Sequence, residues 1–121
     1  MEGKKYDNGK PLIGLVPYCS IRAIAEVLTF GAKKYGPWNW AKGMKWSRLH
    51  DACLRHLGAW SMRVEKDEES GLSHLAHAGC CLMFLMAYEI LGTGEDDRWN
   101  PDDGSTAADQ KVEREPGSIC P

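Results

Sequence analysis

His74 and His77 lie three residues apart in the most apolar stretch of the chain, Gly71-Leu-Ser-His-Leu-Ala-His-Ala-Gly-Cys-Cys-Leu-Met-Phe-Leu-Met-Ala-Tyr-Glu89. On a helix, positions i and i+3 share a face. Imidazoles inside a segment that otherwise favours burial need polar partners, which could be a metal, a phosphate, a carboxylate or a backbone carbonyl. Other candidate partners sit upstream, in Glu26 and in Asp51-Ala-Cys-Leu-Arg-His56. Glu26 and Asp51 suit a hard cation such as Mg²⁺ or Mn²⁺. Arg55 suits a phosphate through bidentate contact, and His56 or His77 could carry a proton or ligate a metal. The plainer alternative is a satisfied buried network, with Asp51 paired to Arg55 at i,i+4 and the histidines bonded to carbonyls.

A second stretch, Leu28-Thr-Phe-Gly-Ala-Lys-Lys-Tyr-Gly-Pro-Trp-Asn-Trp-Ala-Lys-Gly43, combines adjacent lysines, glycines and aromatics. Lys33 and Lys34 can bind phosphates as point charges, Tyr35 and Trp40 can stack on a base, and Asn39 can hydrogen-bond a base edge. Single-stranded nucleic acid is bound with the same ingredients. The plainer alternative is a helix C-terminus with dipole-compensating lysines and tryptophans that fill the core.

The elements that must position these residues are helices. The first is expected after Pro17, capped by Ser20, running to about Tyr35, with Ile21, Ile24, Ala25 and Leu28 at helical spacing. Gly36-Pro37 stops it. A second is expected from Ser47, as N-cap, to Met62, burying Leu49, Ala52, Cys53, Leu57 and Trp60. After the charged loop 65–71, a third runs from about Leu72 to Leu91 and ends near Gly92. No strand pattern is evident, so the fold class is all-α, a small bundle of three principal helices. The third helix is apolar nearly all round, with Leu72, Leu75, Leu82, Met83 and Met86 on one side and Phe84 and Tyr88 on another. Three helices can hardly enclose it, so a homo-oligomer, dimer or tetramer, is expected to complete the bundle. Short loops make consecutive helices antiparallel neighbours. That register places Glu26, Arg55, His56 and His77 in one layer, with Asp51 and His74 about a turn away.

With 121 residues, the chain is sized for one domain. Histidines and charges interrupt the longest apolar run, so no membrane span is expected, and the N-terminus lacks the apolar core of a signal peptide. Five cysteines, an odd number with no Cys-x-x-Cys, argue for reduced thiols in a cytoplasm. Residues 1–50 carry nine Lys/Arg against three acids, whereas residues 92–121 carry three against eight. The basic half could attract a phosphate-bearing ligand. Residues 1–92 are expected to form the domain and 93–121 a flexible acidic tail, with Trp99 a candidate to dock back.

Four motifs in order carry a family resemblance: Lys5-Tyr-Asp-Asn-Gly-Lys-Pro11; Glu26-Val-Leu-Thr-Phe-Gly-Ala-Lys-Lys-Tyr-Gly36 with Asn39-Trp40; Asp51-Ala-Cys-Leu-Arg-His56; and Asp67-Glu-Glu-Ser-Gly-Leu-Ser-His-Leu-Ala-His-Ala78. Over about residues 4–91 the chain resembles the phage and bacterial dATP/dGTP diphosphohydrolase domain. The resemblance implies hydrolysis of a purine deoxynucleoside triphosphate to the monophosphate and pyrophosphate with Mg²⁺, in nucleotide-pool remodelling in a host cytoplasm. The family is similar in role to MazG-like all-α pyrophosphohydrolases, which hold metal with Glu-x-x-Glu and Glu-x-x-Asp helices. This chain offers His74-x-x-His77 and a single Glu26 instead, so those ligands do not carry over. The site therefore rests on the residues themselves. Glu26 and Asp51 are the expected metal ligands, joined by Asp67 or Glu69. Glu26, Asp51, His56 and His77 are expected to be catalytic, Lys33, Lys34, Arg55 and His74 to hold substrate, and Asn39 and Trp40 to contact the base. The weak net charge and the lack of an extended basic run argue against a stable nucleic-acid complex. The alternative is a non-catalytic nucleotide or single-stranded nucleic-acid binding module.

Overall fold

In a computed structural model of the chain, residues 1–102, 104 and 105 are described. Among them are three helices, α1 (Tyr18–Tyr35), α2 (Trp46–Ser61) and α3 (His74–Leu91), with single 3₁₀ turns at Ile13–Leu15 and Asn39–Lys42. No strand occurs among the described residues. Two isolated bridge pairs do, Lys45 with Glu95 and Lys66 with Ser73. The fold is the small all-α bundle expected.

The starts of α1 and α2 differ from expectation because backbone and distant groups, not Ser20 and Ser47, satisfy the free amides. α1 begins directly after Pro17, whose carbonyl accepts from Ser20 N and Ile21 N at 3.2 and 3.3 Å, so Ser20 lies inside the helix and caps nothing. Gly36 ends it at φ 90°, its N–H bonded to Ala32 O. α2 begins at Trp46 rather than Ser47. The Ser47 N–H and hydroxyl both donate to the Asp97 carboxylate, which caps α2 from fifty residues downstream. α3 begins at His74, two residues after Leu72, because the Leu72 carbonyl is taken by Asp67 N at 2.7 Å. Ser73 caps it by accepting from Leu75 N, and Gly92 in the left-handed region closes it.

α3 is the centre of the molecule. It packs along α2 and, over a shorter stretch, against α1, whereas α1 and α2 make little contact with each other. Small residues on α3 allow the close approach. A Cβ at Gly79 would lie 3.0 Å from Ile24 Cδ1 of α1, and Cys53 Sγ of α2 donates to Ala78 O at 3.7 Å. Tyr88, Met44 and Leu49 are the largest fully buried side chains. The single layer of Glu26, Arg55, His56 and His77 does not form, because it requires α1 packed on α2. Leu57 and Trp60, expected in the core, stay 38% and 48% exposed. On α3, Leu82 and Met86 are 48% and 54% exposed, so one copy leaves a broad apolar stripe uncovered. Among the described residues α3 is also the one helix long and apolar enough to cross a membrane; 44% of it is buried inside the bundle.

The chain does not leave the bundle at residue 93. Glu95 N donates to Met44 O at 3.1 Å, Trp46 N donates to Glu95 O at 2.9 Å, and Trp46 Nε1 donates to Thr93 O at 3.0 Å. This pairing needs glycine: at Gly94, φ 78°, a Cβ would lie 2.5 Å from Met44 O. Backbone pairing of this kind leaves no periodic trace in a sequence. Trp99 is 63% exposed and lines a cleft with Trp46. The rest of the expected tail, residue 103 and residues 106–121, lies outside the described residues.

Candidate functional site

The loop between α2 and α3 folds tightly over the start of α3. Gly71 N donates to Asp67 O at 2.8 Å and His74 N to Glu65 O at 2.8 Å. These bonds aim Asp67 and Ser70 at the first turns of α3. Asp67 Oδ2 accepts from Ser70 N at 2.9 Å and lies 3.9 Å from His77 Nε2. Ser70 Oγ lies 2.7 Å from that same His77 nitrogen. The contacts of Cys53 with Ala78 and of His56 with His74 run in opposite directions along the two helices, so α2 and α3 are antiparallel and α2 brings His56 to the same place. His56 Nδ1 lies 2.9 Å from His74 Nδ1, and its ring stacks on His77 with centroids 4.5 Å apart and planes at 11°. His74 and His77 are buried.

Electrostatics favour neutral His56 and His77 rings beside an ionised Asp67. Burial, reinforced by His77 and His74, pushes the His56 pKa from 6.5 down to about 4. Burial also lowers His77, against the opposing pull of Asp67. For Asp67 burial works upward, but the hydrogen bonds from Ser70 and the neighbouring His77 and His56 outweigh it and hold the carboxyl below its ordinary value. One nitrogen each of His56 and His74 and an oxygen of Asp67 lie within 4.8 Å of one another, a donor set that could hold a divalent cation.

An aromatic cleft of about 330 Å³ opens beside the C-terminal half of α1, lined by Leu28, Tyr35, Trp38, Asn39, Trp40 and Cys80 among others. α3 fixes its floor: Phe84 stacks on Trp40 at 5.8 Å and 15°, and Tyr88 OH donates to Trp40 O at 2.7 Å. At its rim Trp38 adopts φ 66° and is 72% exposed. The left-handed region costs a non-glycine residue roughly 1 kcal/mol. Asn39 Nδ2 is buried with no hydrogen-bond partner. An orphaned buried donor of this kind costs about 1–3 kcal/mol. Lys34 links cleft and cluster. Its ammonium lies 5.2 Å from the Tyr35 ring centroid and pairs with Glu69, the neighbour of Ser70.

Of the residues singled out from sequence, the structure therefore assembles His56, His74, His77 and Asp67, and joins Lys34 and Glu69 to their edge. Asn39 and Trp40 share the cleft. Glu26 is exposed on α1 and pairs with Arg22 at 3.6 Å. Asp51 and Arg55 are exposed on α2, and Lys33 is exposed on α1. Sequence reasoning missed Ser70 as the group between Asp67 and His77, although Glu-Glu-Ser-Gly is a turn signal. It also missed Trp38, which nothing distinguishes in sequence from its tryptophan neighbour. A second cleft, about 550 Å³, lies between Trp46, His50, Leu82, Met86 and Trp99, with Glu89, Asp97 and Arg98 also in its lining.

A curated protein named dATP/dGTP diphosphohydrolase, from Salmonella phage PMBT28, is 37% identical to this chain over 124 residues. The match covers all of this chain and 40% of that relative, so the chain spans about two-fifths of the curated protein's length. No solved structure gives a significant match. The profile of the family described as "dATP/dGTP diphosphohydrolase, N-terminal" matches residues 1–98, a range that includes all three helices and the Asp97 cap on α2. The chain belongs to this family of dATP/dGTP diphosphohydrolase N-terminal domains.

Proposed function

We propose that this chain hydrolyses purine deoxynucleoside triphosphates, dATP and dGTP, to the monophosphate and pyrophosphate with a divalent cation, in nucleotide-pool remodelling in the host cytoplasm. The observation that carries the reading is the position of Lys34, between an aromatic cleft sized for a base and a cluster of histidines around a carboxylate. A base stacks on Trp40, with Trp38 as a second aromatic face. The unpartnered Asn39 amide donates to an acceptor such as the purine N7, which adenine and guanine share and pyrimidines lack. Lys34 then exchanges Glu69 for a phosphate oxygen, with Lys33 and Arg55 as further cations nearer solvent.

At the other end, neutral His77 accepts at Nδ1 the proton of the attacking water as its oxygen bonds to the α-phosphorus and the bond to the α–β bridging oxygen breaks, releasing pyrophosphate. Ser70 and Asp67 orient its ring and stabilise the imidazolium. A divalent cation held by His56, His74 and Asp67 would neutralise triphosphate charge and make water more acidic. Glu26 and Asp51, exposed on α1 and α2, would join such a site only from a second copy. The exposed Leu82 and Met86 stripe on α3 favours that homo-oligomer.

The test is product release from the purified chain with each of the four dNTPs and Mg²⁺, Mn²⁺ or Zn²⁺, separated by ion exchange. Purine monophosphate plus pyrophosphate is expected. No product from folded chain overturns the reading in favour of a nucleotide-binding module. That second reading draws on one observation, that the chain spans two-fifths of its named relative. It predicts quenching of tryptophan fluorescence by purine dNTPs without turnover.

A further inference from the structure

We infer that His56, His74 and Asp67 form a site for a borderline first-row dication, of the Mn²⁺, Fe²⁺ or Zn²⁺ class, that discriminates against Mg²⁺. This deepens the proposal above and rests on the same cluster, but it concerns which ion is bound and by which atoms.

Donor chemistry is the first argument. Two imidazole nitrogens and one carboxylate oxygen match the sites of non-haem iron and of hydrolytic zinc, which keep open positions for water or substrate. Mg²⁺ demands near-octahedral oxygen ligation and dehydrates reluctantly. An all-oxygen site is not assembled at this place. Without nucleotide Glu69 pairs with Lys34, and two carboxylates expected from sequence, Glu26 and Asp51, are exposed on α1 and α2.

Distance is the second argument. His56 Nδ1 and His74 Nδ1 are 2.9 Å apart. With metal–nitrogen bonds of about 2.0–2.1 Å, adjacent ligands lie about 3 Å apart on an octahedral ion and about 3.3 Å apart on a tetrahedral one, so the two nitrogens already stand near the separation of one coordination edge. The Asp67 oxygen, within 4.8 Å of both, closes the face by a side-chain rotation.

The third argument is the surrounding support. Ligating groups in metal sites are held by outer hydrogen bonds. Asp67 accepts from Ser70 N at 2.9 Å, and its loop is pinned by Asp67 N to Leu72 O at 2.7 Å and Gly71 N to Asp67 O at 2.8 Å. The His56 ring is fixed against His77 at 11°. His56 and His74 sit on the two helices that pack most extensively, so the edge is preorganised.

The experiment uses the full chain, stripped with a chelator and free of nucleotide, dialysed against Zn²⁺, Mn²⁺ or Mg²⁺ with elemental analysis. One Zn²⁺ per chain is expected, with Mg²⁺ weaker by at least about 100-fold. Long-range ¹H–¹⁵N spectra during Zn²⁺ titration should move the Nδ1 resonances of His56 and His74 and leave exposed His50 in place. Asp67→Asn and His74→Gln should each weaken binding by about tenfold or more. His56→Gln repeats the test at a half-buried position if His74→Gln fails to fold. Zn²⁺ retained equally by wild type and folded variants overturns the inference. So does no retention by folded wild type, or Mg²⁺ competing at equal concentration. Binding without nucleotide turnover would uphold this inference and sink the hydrolysis; turnover with Mg²⁺ and no histidine-bound ion would do the reverse.

Discussion

His56 Nδ1 on α2 stands 2.9 Å from His74 Nδ1 on α3. At that separation the two nitrogens share either one proton or one cation, because two N–H groups facing each other would repel. The pair is therefore a joint between the two most extensively packed helices and a site that responds to what it is offered.

In chelator, acid should destabilise the fold. His56 titrates near 4 when folded and near 6.5 when free, chiefly through burial. Between those values the unfolded chain binds a proton that the folded chain refuses, so stability rises with pH across the window. The full contribution is present above pH 6.5 and is lost as pH falls toward 4. His77 is shifted the same way. With allowance for solvent around a half-buried ring, the loss is roughly 1–2 kcal/mol. Urea midpoints at pH 7 and pH 4.5 measure it, and equal midpoints would count against neutral rings.

Asn39→Ala should separate stability from binding. The variant removes a buried donor that has no partner, so the melting temperature should hold or rise, by up to about 1 kcal/mol in stability. Affinity for purine dNTPs should fall about tenfold, the value of one hydrogen bond. A large drop in melting temperature would mean that the amide has a structural task.

Gly94→Ala should destabilise by about 1–3 kcal/mol. The added Cβ would meet Met44 O at 2.5 Å on a backbone at φ 78°. Asp97→Ala should cost about 1 kcal/mol through the lost cap on Ser47. Thermal melts of both variants test whether residues 93–98 belong to the folded unit.

Met86→Glu should reduce assembly. Met86 and Leu82 are about half exposed on the central helix, and a charge there opposes burial against a second copy. Sedimentation should report oligomer for wild type and a smaller species for the variant. A monomeric wild type would remove the homo-oligomer from the proposal.

The helices were legible because their signals are local: Pro17 and Gly36 bracket α1, and Gly92 ends α3. The pairing of α2 with α3 was legible too, since a short loop fixes antiparallel register and His56 does meet His77. The placement of Glu26 was not. Small residues such as Gly79 draw α1 onto α3 rather than α2, and packing preference between helix pairs has no periodic signature. Asp97 capping α2 was invisible for the same reason, being a contact across fifty residues. Asn39 and Trp40 could be named from residue chemistry, but the orphaned amide that gives Asn39 its meaning belongs to the packed structure alone.

The proposed hydrolysis is tested most directly by following pyrophosphate release from dATP and dGTP with metal-loaded wild type beside Asp67→Asn. The proposal predicts pyrophosphate and purine monophosphate from wild type. It predicts a fall of at least about 100-fold in the variant, with helix content and purine affinity retained. Equal rates in the two proteins, or no product from folded wild type, would contradict it.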